Sequence, residues 1–229
     1  MIRTLTGLII VLILGAVAAA VVPEMQMREE LQGVGYSYAS RGMDDTGSSN
    51  LVTAVIVAYR GLDTLGEVVV LFCASTAVVL ILTLYPIGMK ASEPSRVVAF
   101  TAKVLPAPIL LFGVYFIAHS HISPGGGFPG GTVIASVFLL VMLGSSSVPD
   151  GKGRLSAIES LAGLSFGLLG FWGIMTVGQF LNNAFLGTGT PGTLVSGGLI
   201  PLISIAIGAK VASEFSGVFK AFRNTGGTV

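Results

Sequence analysis

Apolar residues in this chain come in long blocks separated by short polar ones. A membrane-spanning helix needs about 20 mostly apolar residues. Six blocks meet that length: residues 3–22, 64–86, 97–119, 127–145, 155–178 and 194–219. A further apolar stretch, residues 51–59, reaches only ~14 Å as a helix, too short to cross. With Asn50 as N-cap it reads as a re-entrant or interfacial helix, or alternatively as the start of the next span. Residues 24–50 are polar and read as an outer loop, and 144–154 and 187–193 as short connections. The pattern predicts an all-α, polytopic membrane protein. No internal repeat is visible, and residues 90–96, flanked by Pro86 and containing Pro94, divide the chain into 1–90 and 91–229.

Residues 121–131, His-Ile-Ser-Pro-Gly-Gly-Gly-Phe-Pro-Gly-Gly, interrupt this pattern with five glycines and two prolines in eleven positions. Glycine permits unusual dihedrals and close backbone approach. Irregular backbone at membrane depth survives only when buried in protein or lining a wet cavity. The stretch is therefore expected to form a polar discontinuity where helices, ions or water meet. No Gly-Lys-Ser/Thr follows, which excludes a phosphate loop. Residues 125–130 fit G-x-G-x-x-G but lack the preceding strand and βαβ context. Small-residue helix packing is the alternative for Gly127, Gly130 and Gly131.

Composition agrees with a membrane protein: mean hydropathy is +0.88, and only 10% of residues are charged against roughly 25% in soluble domains. The net charge of +1 gives no basic surface for nucleic acid. The lone Cys73 cannot form an internal disulfide or hold an iron–sulfur cluster, so any redox chemistry belongs to a partner. Residues 4–22 resemble a signal peptide in outline but are long enough to span, so a retained helix is expected. With the N-terminus cytoplasmic, inner segments carry Arg3, Lys90, Arg96, Lys152, Arg154, Lys220 and Arg223, whereas outer ones carry Arg28 and Arg41 beside five acids. This bias follows the positive-inside rule and places both termini in the cytoplasm and the Gly-rich stretch outside.

An ionisable group at the centre of a lone span costs roughly 2.5–3.5 kcal/mol on insertion scales, so such groups usually face a partner or a wet path. Arg60, Asp63 and Glu67 recur at helical spacing on one face. Arg60 can neutralise Asp63, while Glu67, ~6 Å further along, is left as a candidate proton or cation site; a helix-end ion pair fixing the turn is the alternative. Lys103 precedes Pro106 and Pro108, which predict a kink, and is placed to pair with an acid elsewhere or to snorkel. Lys210 and Glu214, at i and i+4, read as an internal ion pair. Glu159 is favourable near a helix N-terminus. His119 and His121 flank Ser120, and either can shuttle protons near neutral pH or bond loop carbonyls. Two histidines at i, i+2 without a carboxylate make a poor metal site. No spacing of Ser, His, Asp or Cys suggests hydrolysis, so no catalytic centre is expected.

His121-x-x-Pro-Gly-Gly-Gly-Phe-x-Gly-Gly resembles the signature of the B subunit of Mrp-type Na+/H+ antiporters. Residues 196–213, Ser-Gly-Gly-Leu-Ile-Pro-Leu-Ile-Ser-Ile-Ala-Ile-Gly-Ala-Lys-Val-Ala-Ser, resemble the last helix of the same family. Residues 50–71, which contain Arg60-Gly-Leu-Asp63 and Glu67, are similar to the C-terminal membrane segment of the large Mrp A subunit. That segment is a separate small subunit in membrane-bound hydrogenases and sulfane reductases. The chain thus looks like a fusion of the two pieces. The resemblance implies a non-catalytic subunit of an ion-translocating module, with Na+ and H+ as transported ions and no bound cofactor. Glu67 and Asp63 fall on its acidic motif, and His121, Pro124, Gly125, Gly126, Gly127 and Phe128 on its B-type motif. The implied partners are A-, C-, D-, E-, F- and G-type membrane subunits, with hydrogenase-like and iron–sulfur subunits in a redox complex. A purely structural scaffold and a lipid-acting membrane enzyme are the competing readings.

Overall fold

The computed structural model describes residues 2–22, 32–85, 93–145, 152–183 and 186–224. Residues 24–31 of the expected outer loop, with Arg28, the 86–92 boundary, with Lys90, and most of the 144–154 connection lie outside the described residues. The chain divides into two compact units, Met1–Ser37 and Tyr38–Val229. The first holds α1 (Ile2–Val21); its apolar side chains are exposed all round, as in a helix with no soluble core to face.

The second unit contains most of α2 (Val34–Thr46), then α3 (Leu51–Thr53), a π-helical stretch Ala54–Tyr59, α4 (Gly61–Leu84), α5 (Arg96–Val104), α6 (Pro106–Ala118), α7 (Gly127–Leu143), α8 (Lys152–Val177) and α9 (Ile200–Asn224). Among the described residues the one exception to helix and loop is an isolated bridge between Gly189 and Ser196. Gly61–Leu84, Gly153–Val177 and Ile200–Asn224 are each long and apolar enough to cross a membrane. α5 and α6 together make a fourth such segment, bent by 47°. Leu5–Val21 and Gly127–Leu143 are shorter apolar helices.

α9 is the axis of the second unit. α4, α6, α7 and α8 all pack against it, and Ile200, Ile203, Ile207 and Val211 anchor the core with Val57, Val68, Phe166, Leu181 and Leu199. Over half of the α9 span is buried, against 11% of α4. α4 therefore turns most of its apolar surface away from its own chain.

Two sequence expectations change, at 34–46 and at the start of the last span, and two others, at 51–59 and 97–119, gain detail. Residues 34–46 are not loop but the polar helix α2. It is held by the Arg41–Asp45 pair at 3.6 Å, by Tyr59 donating to Asp45 Oδ2 at 2.7 Å, and by the Tyr38–Tyr59 ring contact. Its polarity hid it, because its support comes from side-chain pairs rather than from an apolar face. The 51–59 segment starts at the expected cap, with Asn50 Oδ1 accepting from Val52 and Thr53 amides. It then widens into a π-helix and breaks at Arg60, so it does not extend α4 without interruption. Thr64 satisfies the carbonyl of Ile56 freed by that break, at 2.7 Å. The 97–119 block is two helices hinged at Leu105, because Pro106 and Pro108 supply no amide donors. The last span begins at Ile200 rather than 194, since Gly197 and Gly198 take left-handed φ of 73° and 51°, incompatible with helix.

Candidate functional site

The second half of the Gly-rich motif is helical. Gly127, Gly130 and Gly131 form the first turns of α7 and are buried. A Cβ on Gly127 would lie 2.6 Å from the carbonyl oxygen of Ser204, and one on Gly131 2.7 Å from that of Gly208. On the other side, Gly130 would meet the carbonyl oxygen of Gly113 at 2.8 Å. The glycines thus let α7 approach α6 and α9 at backbone contact, the small-residue mode of membrane helix packing. Gly126 provides the turn into α7 with φ 147°, and Gly125 leaves room for the carbonyl of Phe116. Phe128 packs on the core, while Pro124 is exposed.

The residues just before the motif form a joint between three loops. His121 and Ser120 are fully buried. The carbonyl of His121 accepts from Ser48 Oγ at 2.9 Å and from the Asn50 amide at 3.1 Å. Asn50 Nδ2 donates to the carbonyls of Ser120 and Ser123 at 2.8 and 2.9 Å. On the far side, His121 Nε2 sits 3.3 Å from the carbonyl of Thr193, with Gly197 against the ring. His119 instead stacks on Tyr115.

Burial pushes His121 below the usual histidine range, opposed by the carbonyls of Thr193 and Leu194. Its Nδ1 has no partner among the described residues, so a proton there would be a buried donor with no acceptor. The folded state therefore favours neutral imidazole. The stabilisation is complete above the unfolded value near 6.5 and is lost as pH falls through that value toward the lower folded one. Amide protection factors in the segments around 120 and 195 are expected to fall as the protein is acidified from neutral pH through and below the ordinary histidine range, and a His121→Gln variant to lose this acid sensitivity. Unchanged protection factors across that range would contradict the assignment.

Sequence reasoning missed Asn183, which locks the same joint. Its Nδ2 donates to the carbonyl of Thr46 at 2.7 Å, and its Oδ1 accepts from the amide of Leu199. Both bonds are buried. Asn183→Ala orphans one donor and one acceptor, each costing ~1–3 kcal/mol, and thermal unfolding of the purified protein should show the loss. No local spacing signals this residue, because its partners lie 137 and 16 positions away.

The charged candidates separate into three places. Arg60 and Asp63 form an ion pair at the start of α4, both exposed. Glu67 lies ~9 Å into α4 on an exposed face. It has no partner among the described residues, and beside it Gly66 opens onto nothing within 4 Å. Lys103 is exposed in the last turn of α5, just before the bend. Lys210 and Glu214 do come together: Nζ is 2.6 Å from Oε1, with side chains 10% and 1% exposed. The ammonium also sits 5.0 Å from the Phe72 ring of α4, five residues past Glu67. Arg223, close to the end of α9, donates to the carbonyls of Met142 and Ser145, tying α9 to the end of α7.

A family model described as a domain related to the MnhB subunit of Na+/H+ antiporter matches residues 97–217. The chain belongs to this MnhB-related family. A second family model, MbhE of the MBH complex, matches residues 2–95. The chain is 32% identical to an uncharacterized protein of Methanocaldococcus jannaschii, over 73% of this chain and 74% of that one. A putative antiporter subunit, mnhB2 of Staphylococcus saprophyticus, is 43% identical over 51 residues, 22% of this chain and 36% of that one. Among solved structures, a chain of the membrane-bound sulfane sulfur reductase, an archaeal respiratory membrane complex, superposes with a TM-score of 0.80. It is 36% identical, with 96% of this chain and 98% of that one covered. A chain of the Mrp complex from Dietzia sp. DQ12-45-1b gives a TM-score of 0.76 at 25% identity, over 96% of this chain and 26% of that one. The resemblance carried by residues 121–131, 196–213 and the first half is thereby borne out, and the protein is a membrane protein of this family.

Proposed function

We propose that the chain is a non-catalytic subunit of an Mrp-like ion-translocating module within a respiratory membrane complex. The observation that carries this reading is the end-to-end match to a subunit-sized chain of the sulfane sulfur reductase, 98% of which is covered. The model matches over 2–95 and 97–217 support treating 1–90 and 91–229 as two fused pieces. In this reading α1, α4, the bent α5–α6 segment, α7, α8 and α9 are the six spans. Both termini face the cytoplasm of a cell membrane, as the lysine and arginine distribution favours.

Glu67, on the outward face of α4, contacts the translocated proton or Na+, with Asp63 and Arg60 tuning the mouth. Lys210 and Glu214 carry charge at mid-depth, Lys103 lies toward the inner side, and His121 fixes the outer joint rather than facing the path. Na+ and H+ are transported ions, not bound cofactors. The partners are the other Mrp-type membrane subunits, of the A, C, D, E, F and G classes, together with hydrogenase-like and iron–sulfur subunits. The similarity to the Dietzia Mrp complex favours a second reading, a stand-alone antiporter. The interlocked loops around His121 favour a third, a scaffold.

Sodium-dependent proton movement in membrane vesicles, with the chain deleted and restored, tests the proposal. Loss on deletion and recovery on restoration are expected. Unchanged transport in vesicles lacking the chain would overturn it.

A further inference from the structure

Lys210 and Glu214 lie 10 and 14 residues into α9, which runs from Ile200 to Asn224. At 1.5 Å per residue they sit ~15 and ~21 Å along a helix of ~37 Å, at its middle. Glu214 is 1% exposed in its side chain, and its Oε2 has no hydrogen-bond partner among the described residues. Facing the pair on α8, Gly163 abuts the Lys210 ammonium, 3.8 Å from an added Cβ. One turn before Gly163, on the same face of α8, stands the half-buried Glu159.

The charges here do not balance. α4 contributes the Phe72 ring but no charge at this level, its Asp63 and Glu67 lying nearer its start and exposed. α7 contains no ionisable residue at all. On α9 the next cation, Lys220, is ~9 Å further along and a third of a turn round, and it engages a contact of its own. Glu159 on α8 and Glu214 on α9 thus flank one ammonium, at a depth where an unpaired charge is expensive. On α8, Lys152 and Arg154 lie more than a turn nearer the helix start, and one ammonium cannot neutralise both carboxylates. Na+ fits poorly, because hard cations need several oxygen ligands and an ammonium already occupies one side of Glu214.

We propose that Lys210, Glu214 and Glu159 form a mid-membrane proton-loading site, in which the two carboxylates share one exchangeable proton. Loading forms an O–H bond on Glu214 Oε2 with a proton delivered past Glu159 from the inner aqueous side. No bond within the chain breaks, and Lys210 keeps its three protons throughout. The delivery direction rests on the translocation reading above; the shared proton does not.

Infrared difference spectroscopy of the intact complex across neutral pH tests the site directly. Wild type should show one titrating buried carboxylic-acid band, shifted in heavy water, and both Glu214→Gln and Glu159→Gln should lose it. Absence of the band in wild type, or its survival in either variant, would overturn the proposal and would point to a partner subunit's basic group as the second counter-charge. If Glu214→Gln fails to assemble, the half-buried Glu159→Gln decides alone. A band that behaves as expected while Glu67→Gln transports normally would leave this site standing and remove the translocation role given to Glu67.

Discussion

Glu67→Gln is expected to reduce sodium-coupled proton movement by the assembled complex at least tenfold while leaving assembly intact. Glutamine keeps the shape and most hydrogen-bonding capacity of glutamate but cannot ionise. Glu67 makes no contact with described residues of its own chain that the change could break. It sits about two turns into an outward-facing span, beside the bare backbone of Gly66. An ionisable group so placed needs a partner or a wet path outside this chain. Asp63→Asn should have a much smaller effect, because Asp63 is an exposed member of the Arg60 pair, and such pairs contribute little. Dye-reported pH changes after Na+ pulses, with the complex reconstituted in liposomes, measure both. Full activity of Glu67→Gln in a properly assembled complex would convert this residue to a surface feature and favour the scaffold reading.

The second large effect is on stability. Lys210→Met leaves the Glu214 carboxylate in the packed centre of α4, α8 and α9 without its counter-charge. Breaking a buried ion pair from one side costs about 3–5 kcal/mol, whereas replacing both members by apolar residues is often close to neutral. Thermal unfolding should therefore show a severe loss for Lys210→Met and recovery of most of it in Lys210→Met/Glu214→Leu. Equal stability of the single variant and wild type would show that the pair is not buried in the assembled protein.

Much of this fold was legible in the sequence because apolar blocks of spanning length are a strong physical signal. The kink at Pro106, the cap at Asn50 and the Lys210–Glu214 pair follow from local rules, and each appears where those rules place it. The missed elements depend on distant partners. α2 has no apolar face and holds itself through Tyr59 and Asp45. Asn183 acts through Thr46 and Leu199. For Gly127, Gly130 and Gly131 the sequence leaves backbone freedom and small-residue packing both open, and the positions of α6 and α9 decide for the missing Cβ. For the candidate site, residue types were legible and groupings were not. Glu159 reads as a helix-start residue until α8 is set against α9, and His121, for which the sequence leaves proton shuttling and carbonyl bonding both open, is buried beside the carbonyl of Thr193.

Whether the chain works inside a redox-linked antiporter assembly is decided by mass spectrometry of everything that co-purifies with a tagged copy in mild detergent. Antiporter-type membrane subunits are expected, together with hydrogenase-like and iron–sulfur subunits. Recovery of the chain without any antiporter-type protein would refute the proposed function.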